Sequence, residues 1–428
     1  MTREALRALP EPVRAHLPPE SELLLVDTCC MNPDRYFDIA GGGHERVRPY
    51  TLLIDGIQFH YLPNTSIEAE YKYWGVARRA DGERVLRRVR VDPNDNWRHA
   101  WAGFNHYIGN SVENLRAGRL DDAMNYIGIL LHTLQDASTF LHSLEGPNGA
   151  DLFVLDRLMD TPAGRFDLLP TSVLRGRMTD FDIVGYAPAL LGVTVPEAAF
   201  RLYSGYARTV MSNRRKLIPM LHKSHEGDEA GVDALSADIM RCAARLSADA
   251  VYTIFCQAFN HFLQAETDLL RAVYLSDLMP VREPRGLSMP YRFISWLPDA
   301  ALDQSLKPRP LRIELDGSCA TFSKGIASGS HFDYTFAWEL PPAVYARLSG
   351  AVGLHPDLSR HGDFVAQVAL NGQVLFRSRI TDAHPGDRFE CATNGGGLLE
   401  LQVECAFGMG NAGQCVNNIV WGDLKLTK

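Results

Sequence analysis

Between Tyr126 and Glu145 the chain reads YIGILLHTLQDASTFLHSLE, which sets His132, Asp136 and His142 within one short stretch. On a helix, residues four apart lie on one face, one turn from each other, so His132 and Asp136 would stack. His142 follows six residues after Asp136, where the chain would be leaving that helix. Two imidazoles and a carboxylate held so closely suit zinc, which takes nitrogen and oxygen ligands at about 2.0–2.2 Å. A bare HxxxD is more often a packed histidine with its hydrogen-bonded partner. The added His142, and ligand-type residues elsewhere in the N-terminal half, turn the reading towards a metal.

Those other residues are spread along the chain. Asp34 follows Pro33 in DTCCMNPDRYFDIAGGGHER, a turn-rich stretch that leaves its carboxylate able to face a cleft. His60 stands between aromatics in IDGIQFHYLPNT. His222 and His225, three apart in LHKSHEGDEAG, could chelate or could be a solvated pair in an acidic loop. His44, His99 and His106 read as loop or packing residues.

The elements that would position this set are helical. Apolar spacing predicts helices over 97–115, from 121 (with Asp121 as N-cap) through the HTLQD segment, over 195–221 and over 231–275. The first 25 residues read as a short helix, a Pro-Pro break and an apolar LLLV run. Near Tyr274 the pattern changes. PVREPRGLSMP reads as a linker, and beyond Pro310 short alternating runs such as LRIEL, DFVAQVAL and QVLFRSRI are punctuated by Asn-Gly, Asp-Gly and Gly-Gly turns. That is the pattern of an all-β sandwich.

Length and composition bound the rest. A chain of 428 residues with 46% apolar and 22% charged residues is ordinary for a globular protein of two or three domains. A net charge of −8 argues against a stable nucleic-acid partner, although a bound metal would add positive charge that counting misses. No apolar run reaches the length of a transmembrane segment, and MTREALRALPEPVRAHLPPE lacks a secretory signal pattern. The expectation is a protein that is either cytoplasmic or exported by a signal-independent route. Eight cysteines without CxxC spacing are expected to be reduced.

In order along the chain, NPD at 32–34, FHYLPNT at 59–65 and NYIGILLHTLQDASTFLH at 125–142 resemble the zinc-dependent phospholipases C, an all-helical fold shared more distantly by fungal single-strand nucleases. The resemblance implies that Asp34, His60, His132 and Asp136 complete one zinc site. It also implies that Asp34 is the general base and that His142 belongs to a second site. The family's downstream HxxxE has no counterpart, since residues 143–160 contain no histidine, and its third site would lack the N-terminal Trp, though a nearby histidine, His16, is present. Asp151, Asp156 or Glu145, or His222 and His225 from farther along the chain, are the candidates to complete the second site. The expected cofactor is therefore Zn2+, one ion from the matched set or two with His142, and three only with unfamiliar ligands.

The C-terminal segments YLSDL (274–278), FSKGI (322–326), LSGAVGLH (348–355), DFVAQVALNGQVLFRS (363–378) and GNAGQCVNNIVWGDLKL (410–426) resemble the NPCBM carbohydrate-binding modules, a galactose-binding-like jelly roll. Trp421 reads as a core residue rather than a sugar platform. The fold expected is multidomain α + β: an all-α helical domain over 1–272, then an all-β jelly-roll sandwich over 273–428. The resemblance implies a metal-dependent hydrolase, a phospholipase C acting on phospholipid head groups, with glycan as a partner of the C-terminal domain. Two alternatives stand beside it. One is a nuclease or nucleotidase on the same metal frame, and the other is a catalytically degenerate glycan-binding protein. A toxin-like effector role also fits a hydrolase lacking a signal.

Overall fold

A computed structural model of the chain describes residues 1–31, 52–54, 57–59, 74–78, 84–88, 101–136, 181–281, 296–303, 305, 307–329, 333–358, 362–405 and 418–428. The chain divides into two compact units, Met1–Thr267 and Asp268–Lys428.

The first unit is mainly helical. Three short helices, α1 (Thr2–Arg7), α2 (Glu11–Arg14) and α3 (Pro19–Asp27), lead into a 3₁₀ turn at Cys29–Met31. The LLLV run therefore lies inside a helix, which Pro19 opens from its first position, where no amide hydrogen is needed. Two small antiparallel hairpins follow, β1 (Leu52–Ile54) with β2 (Ile57–Phe59), and β3 (Trp74–Arg78) with β4 (Arg84–Arg88).

Helices α4 (Ala102–Arg116) and α5 (Leu120–Asp136) form an antiparallel pair. Gly118, at φ 70, supplies the left-handed turn between them, and the Arg119 amide bonds back to the Asn114 carbonyl at 2.9 Å. On α5 the apolar side chains Ala123, Met124, Ile127, Leu130, Leu131 and Leu134 are fully buried, the stripe that a 3.6-residue period demands. Asp121 is not the N-cap. The helix starts a residue earlier, so Asp121 and Asp122 sit in its first turn and face the positive end of its dipole.

Two 31-residue helices, α6 (Val195–His225) and α7 (Glu229–Phe259), complete the bundle around α4 and α5. At the head of α6, Thr194 accepts from the Glu197 amide and the buried Glu197 carboxylate accepts from the Val193 amide, a reciprocal cap. Helix α7 ends at Phe259 and does not continue to 275: Asn260 adopts φ 57, ψ 37, and the amide of His261 closes on the Cys256 carbonyl. A six-residue helix, α8 (Gln264–Leu269), follows.

The second unit is all-β. One sheet runs β16 (Gly386–Ala392), β13 (Arg347–Leu354), β18 (Ile419–Thr427), β11 (Gly325–Ser328), β6 (Trp296–Pro298), with β5 (Ala272–Tyr274) also paired to β18. The other runs β12 (Tyr334–Leu340), β17 (Gly397–Cys405), β14 (Asp363–Leu370), β15 (Gln373–Thr381). All these pairings are antiparallel. A short pair, β7 (Ala301–Leu302) with β8 (Pro308–Arg309), and a hairpin, β9 (Leu311–Leu315) with β10 (Ser318–Phe322), complete the unit. The Asp316-Gly317 and Asn371-Gly372 turns have positive φ at both residues, as two-residue hairpins require. Trp338, Phe336, Phe364, Leu399, Leu401 and Trp421 fill the core, so Trp421 is a packing residue, its ring edge-on to Phe389 at 6.0 Å.

Candidate functional site

His132 and Asp136 both lie on α5, one turn apart, and His132 is half-buried. Its Nδ1 donates to the backbone carbonyl of Cys30 at 2.8 Å. That bond does two things. It puts the proton on Nδ1 and so the lone pair on Nε2, and it fixes the orientation of the ring. A histidine that ligates zinc is ordinarily held this way by a carbonyl or carboxylate at its other nitrogen. By that criterion His132 fits the ion that its residue type suggested.

The carbonyl is brought there by close packing. A methyl group added at Gly128 would lie 2.5 Å from the backbone carbon of Cys29, so only glycine lets the 3₁₀ turn settle against α5 at that level. Around it, Gln135 donates to Thr2 Oγ1 at 2.8 Å and Thr2 Oγ1 meets the Cys30 thiol at 3.4 Å. Burial pushes the Cys30 thiol up to about 11, which makes it a packing group, not a nucleophile. The turn ends at Met31, three residues before Asp34 in sequence.

Asp34, His60, His142, Asp151 and Asp156 lie outside the described residues, as does the side chain of Asp136. Among the described residues no group of three or more His, Cys, Asp or Glu side chains is poised to hold an ion. His222 and His225 are not in a loop. They occupy the last turn of α6, where His222 is exposed and paired with Glu226 at 3.1 Å. His106 Nδ1 accepts from the Asn110 side-chain amide at 3.3 Å, and its ring packs edge-on against Tyr107 and Tyr126.

Sequence reasoning missed the Cys30 carbonyl, because any residue type supplies one. It also missed a carboxylate that belongs to none of the zinc motifs. Asp249, on α7, accepts from Tyr186 Oη at 2.8 Å and from the Ala189 amide at 2.8 Å. Burial raises its carboxyl to about 6, against the pull of those two bonds, and the phenol of Tyr186 is raised in turn by burial and by the carboxylate beside it.

In the second unit, the Lys324 ammonium bridges Asp277 at 2.6 Å and Asp299 at 2.8 Å, and the Asp423 amide donates to its carbonyl. Three of the five C-terminal motifs thus meet at one lysine. Among the described residues, seven cysteines are free thiols. No helix among them is long and apolar enough to cross a membrane.

Residues 271–427 match the NPCBM/NEW2 domain. A comparison with curated proteins gives no match. Among solved structures, the chain is similar to CBM51 from Clostridium perfringens GH95 in complex with methyl-galactose (20% identity, 36% of this chain and 99% of that one, TM-score 0.30). It is similar also to CBM51-2 in complex with GlcNAc and INT domains from Clostridium perfringens ZmpB (19% identity, TM-score 0.29), of which it spans 31% with 37% of its own length. Over 100% of its length it aligns with 96% of the alpha toxin from Clostridium absonum, at 9% identity and a TM-score of 0.37.

Proposed function

We propose that the helical unit is a zinc-dependent phosphodiester hydrolase, a phospholipase C acting on phospholipid head groups, and that the β unit holds it at a glycan-bearing surface. The observation that carries the first part is the 2.8 Å bond from His132 Nδ1 to the Cys30 carbonyl. That bond orients the ring as a zinc-ligating histidine is oriented, with Nδ1 engaged and Nε2 left as the ligand nitrogen. The residues that would hold the ion are Asp34, His60, His132 and Asp136, with His142 for a second. Zinc bound to them would supply Lewis acidity to a phosphoryl oxygen and lower the pKa of a coordinated water to about 7. The chain's own contribution is to orient and to move a proton: Cys30 holds the His132 ring, and Asp34 takes the proton of the attacking water. The match of residues 271–427 to the NPCBM/NEW2 domain supports the glycan part.

The test uses the full chain purified without chelator. At least one zinc per chain by elemental analysis is expected, together with release of phosphorylated head group from phosphatidylcholine vesicles. Asp34→Asn should keep the fold and reduce turnover by a factor of about 100 or more, the scale of removing a general base. Undiminished turnover in that variant removes Asp34 from the reaction. Zinc well below one per chain favours a binding protein, and cleavage of single-stranded nucleic acid instead of lipid favours a nuclease.

A further inference from the structure

Two histidines of the helical unit outside the HTLQD site lie beside each other. His16 comes just after α2, and its ring lies flat on Phe259, with centroids 3.8 Å apart and planes 6° from parallel. His261 is reached through the left-handed turn at Asn260, whose φ of 57 lets the His261 amide close on the Cys256 carbonyl at 2.9 Å. This six-to-one closure is the Schellman stop of a helix, and it turns the chain sharply after Phe259. The His16 ring is held by stacking, and the turn sets the backbone from which the His261 ring projects. Their centroids are 5.7 Å apart and their planes are tilted by 57°.

That spacing matches a shared ion. With metal–nitrogen bonds of about 2.0–2.1 Å, each imidazole centre sits about 3.2 Å from the metal, and a tetrahedral angle then separates the two centres by about 5.2 Å. The observed 5.7 Å opens that angle to about 125°. His261 is exposed and His16 half-exposed, so an ion in water has access. Ring stacking is the contact the described residues make with these imidazoles, and no described carboxylate or ammonium pairs with either.

We propose that His16 and His261 form a two-histidine chelate for a divalent transition metal of the zinc, nickel and copper class. With two protein ligands the remaining positions belong to water, so the ion exchanges readily and is unlike a closed structural site. When occupied, it ties the segment after α2 to the end of α7 and stabilises the helical unit by mass action. The inference stands apart from the hydrolase reading and uses none of its residues.

The experiment is copper(II) titration of the full chain after chelator stripping, followed by calorimetry and by electron paramagnetic resonance. Three variants are compared: His16→Phe, which keeps the stack on Phe259 and removes the ligand nitrogen, His261→Asn at an exposed position, and His132→Ala. Wild type should show a copper site with two equatorial nitrogens. The first two variants are each read in the His132→Ala background, which disables the proposed zinc site: His16→Phe and His261→Asn should each lose that signature or weaken the remaining site at least tenfold, while His132→Ala alone keeps it. Melting curves without metal check that each variant is folded. Unchanged stoichiometry, affinity and nitrogen signature in both His16→Phe and His261→Asn overturns the proposal, as does the absence of any such site in wild type.

Discussion

At the scale of single residues, two buried titratable groups respond to acid in opposite directions. Asp249 has a folded-state pKa raised to about 6 from an ordinary value near 4. The native chain thus takes up its proton before the unfolded chain does. The stabilisation this brings is fully present below about pH 4 and is lost as pH rises through about 6. Asp249→Asn keeps an oxygen for Tyr186 and for the Ala189 amide but has no such titration. Urea unfolding at pH 4.5 and 7.5 should show wild type gaining up to about 2 kcal/mol over the variant on acidification. Parallel pH profiles would show that Asp249 ionises normally.

His355 is the reverse case. Burial lowers its pKa, its Nε2 donates to the Pro310 carbonyl at 2.9 Å, and its Nδ1 accepts from the Asp357 amide. Protonation destroys that acceptor. Its stabilisation is present above the unfolded value of about 6.5 and is lost as pH falls towards the lower folded value. Arg312 opposes the imidazolium and Asp357 favours it. His355→Gln should flatten this acid limb in the unfolding of the β unit, read from the fluorescence of buried Trp338 and Trp421. A variant as acid-labile as wild type would assign the limb to other groups.

At the scale of elements, the helices announce themselves where one face alone is apolar. Ala123, Met124, Ile127, Leu130, Leu131 and Leu134 make α5 legible, and Asp-Gly and Asn-Gly make the β9–β10 and β14–β15 hairpins legible in the same way. The end of α7 was not legible. Apolar spacing runs past it, and what stops the helix is a left-handed Asn260, a conformation that asparagine tolerates but does not advertise. Nor was the anchor of His132. HTLQD names the histidine, whereas its partner is a main-chain carbonyl positioned by Gly128, and neither carries a metal-ligand signature. Gly128→Ala tests that arrangement directly. A methyl 2.5 Å from the Cys29 backbone must push the turn away from α5. The expected cost is about 1–3 kcal/mol, with zinc content falling below that of wild type. Cys30→Ala, which leaves the carbonyl in place, should bind zinc as wild type does. Equal zinc in Gly128→Ala and wild type would mean that the 2.8 Å bond is incidental to the site.

At the scale of the whole chain, the two units have cores of different kinds, helical stripes in Met1–Thr267 and facing sheets in Asp268–Lys428. The proposed zinc ligands all belong to the first, while the Lys324 bridge to Asp277 and Asp299 lies wholly within the second. A ligand that binds only the folded form stabilises by RT ln(1 + [L]/Kd), about 4 kcal/mol at a thousandfold excess over Kd. That increment acts on whichever core carries the site. Calorimetric melting of the full chain should therefore resolve two transitions, of which chelator lowers only the one assigned to the helical unit. The assignment comes from Lys324→Met, which strands two carboxylates and should lower only the other. A chelator shift in the transition that Lys324→Met also moves would place the metal in the β unit, and no chelator shift in either would leave the chain without a stabilising ion.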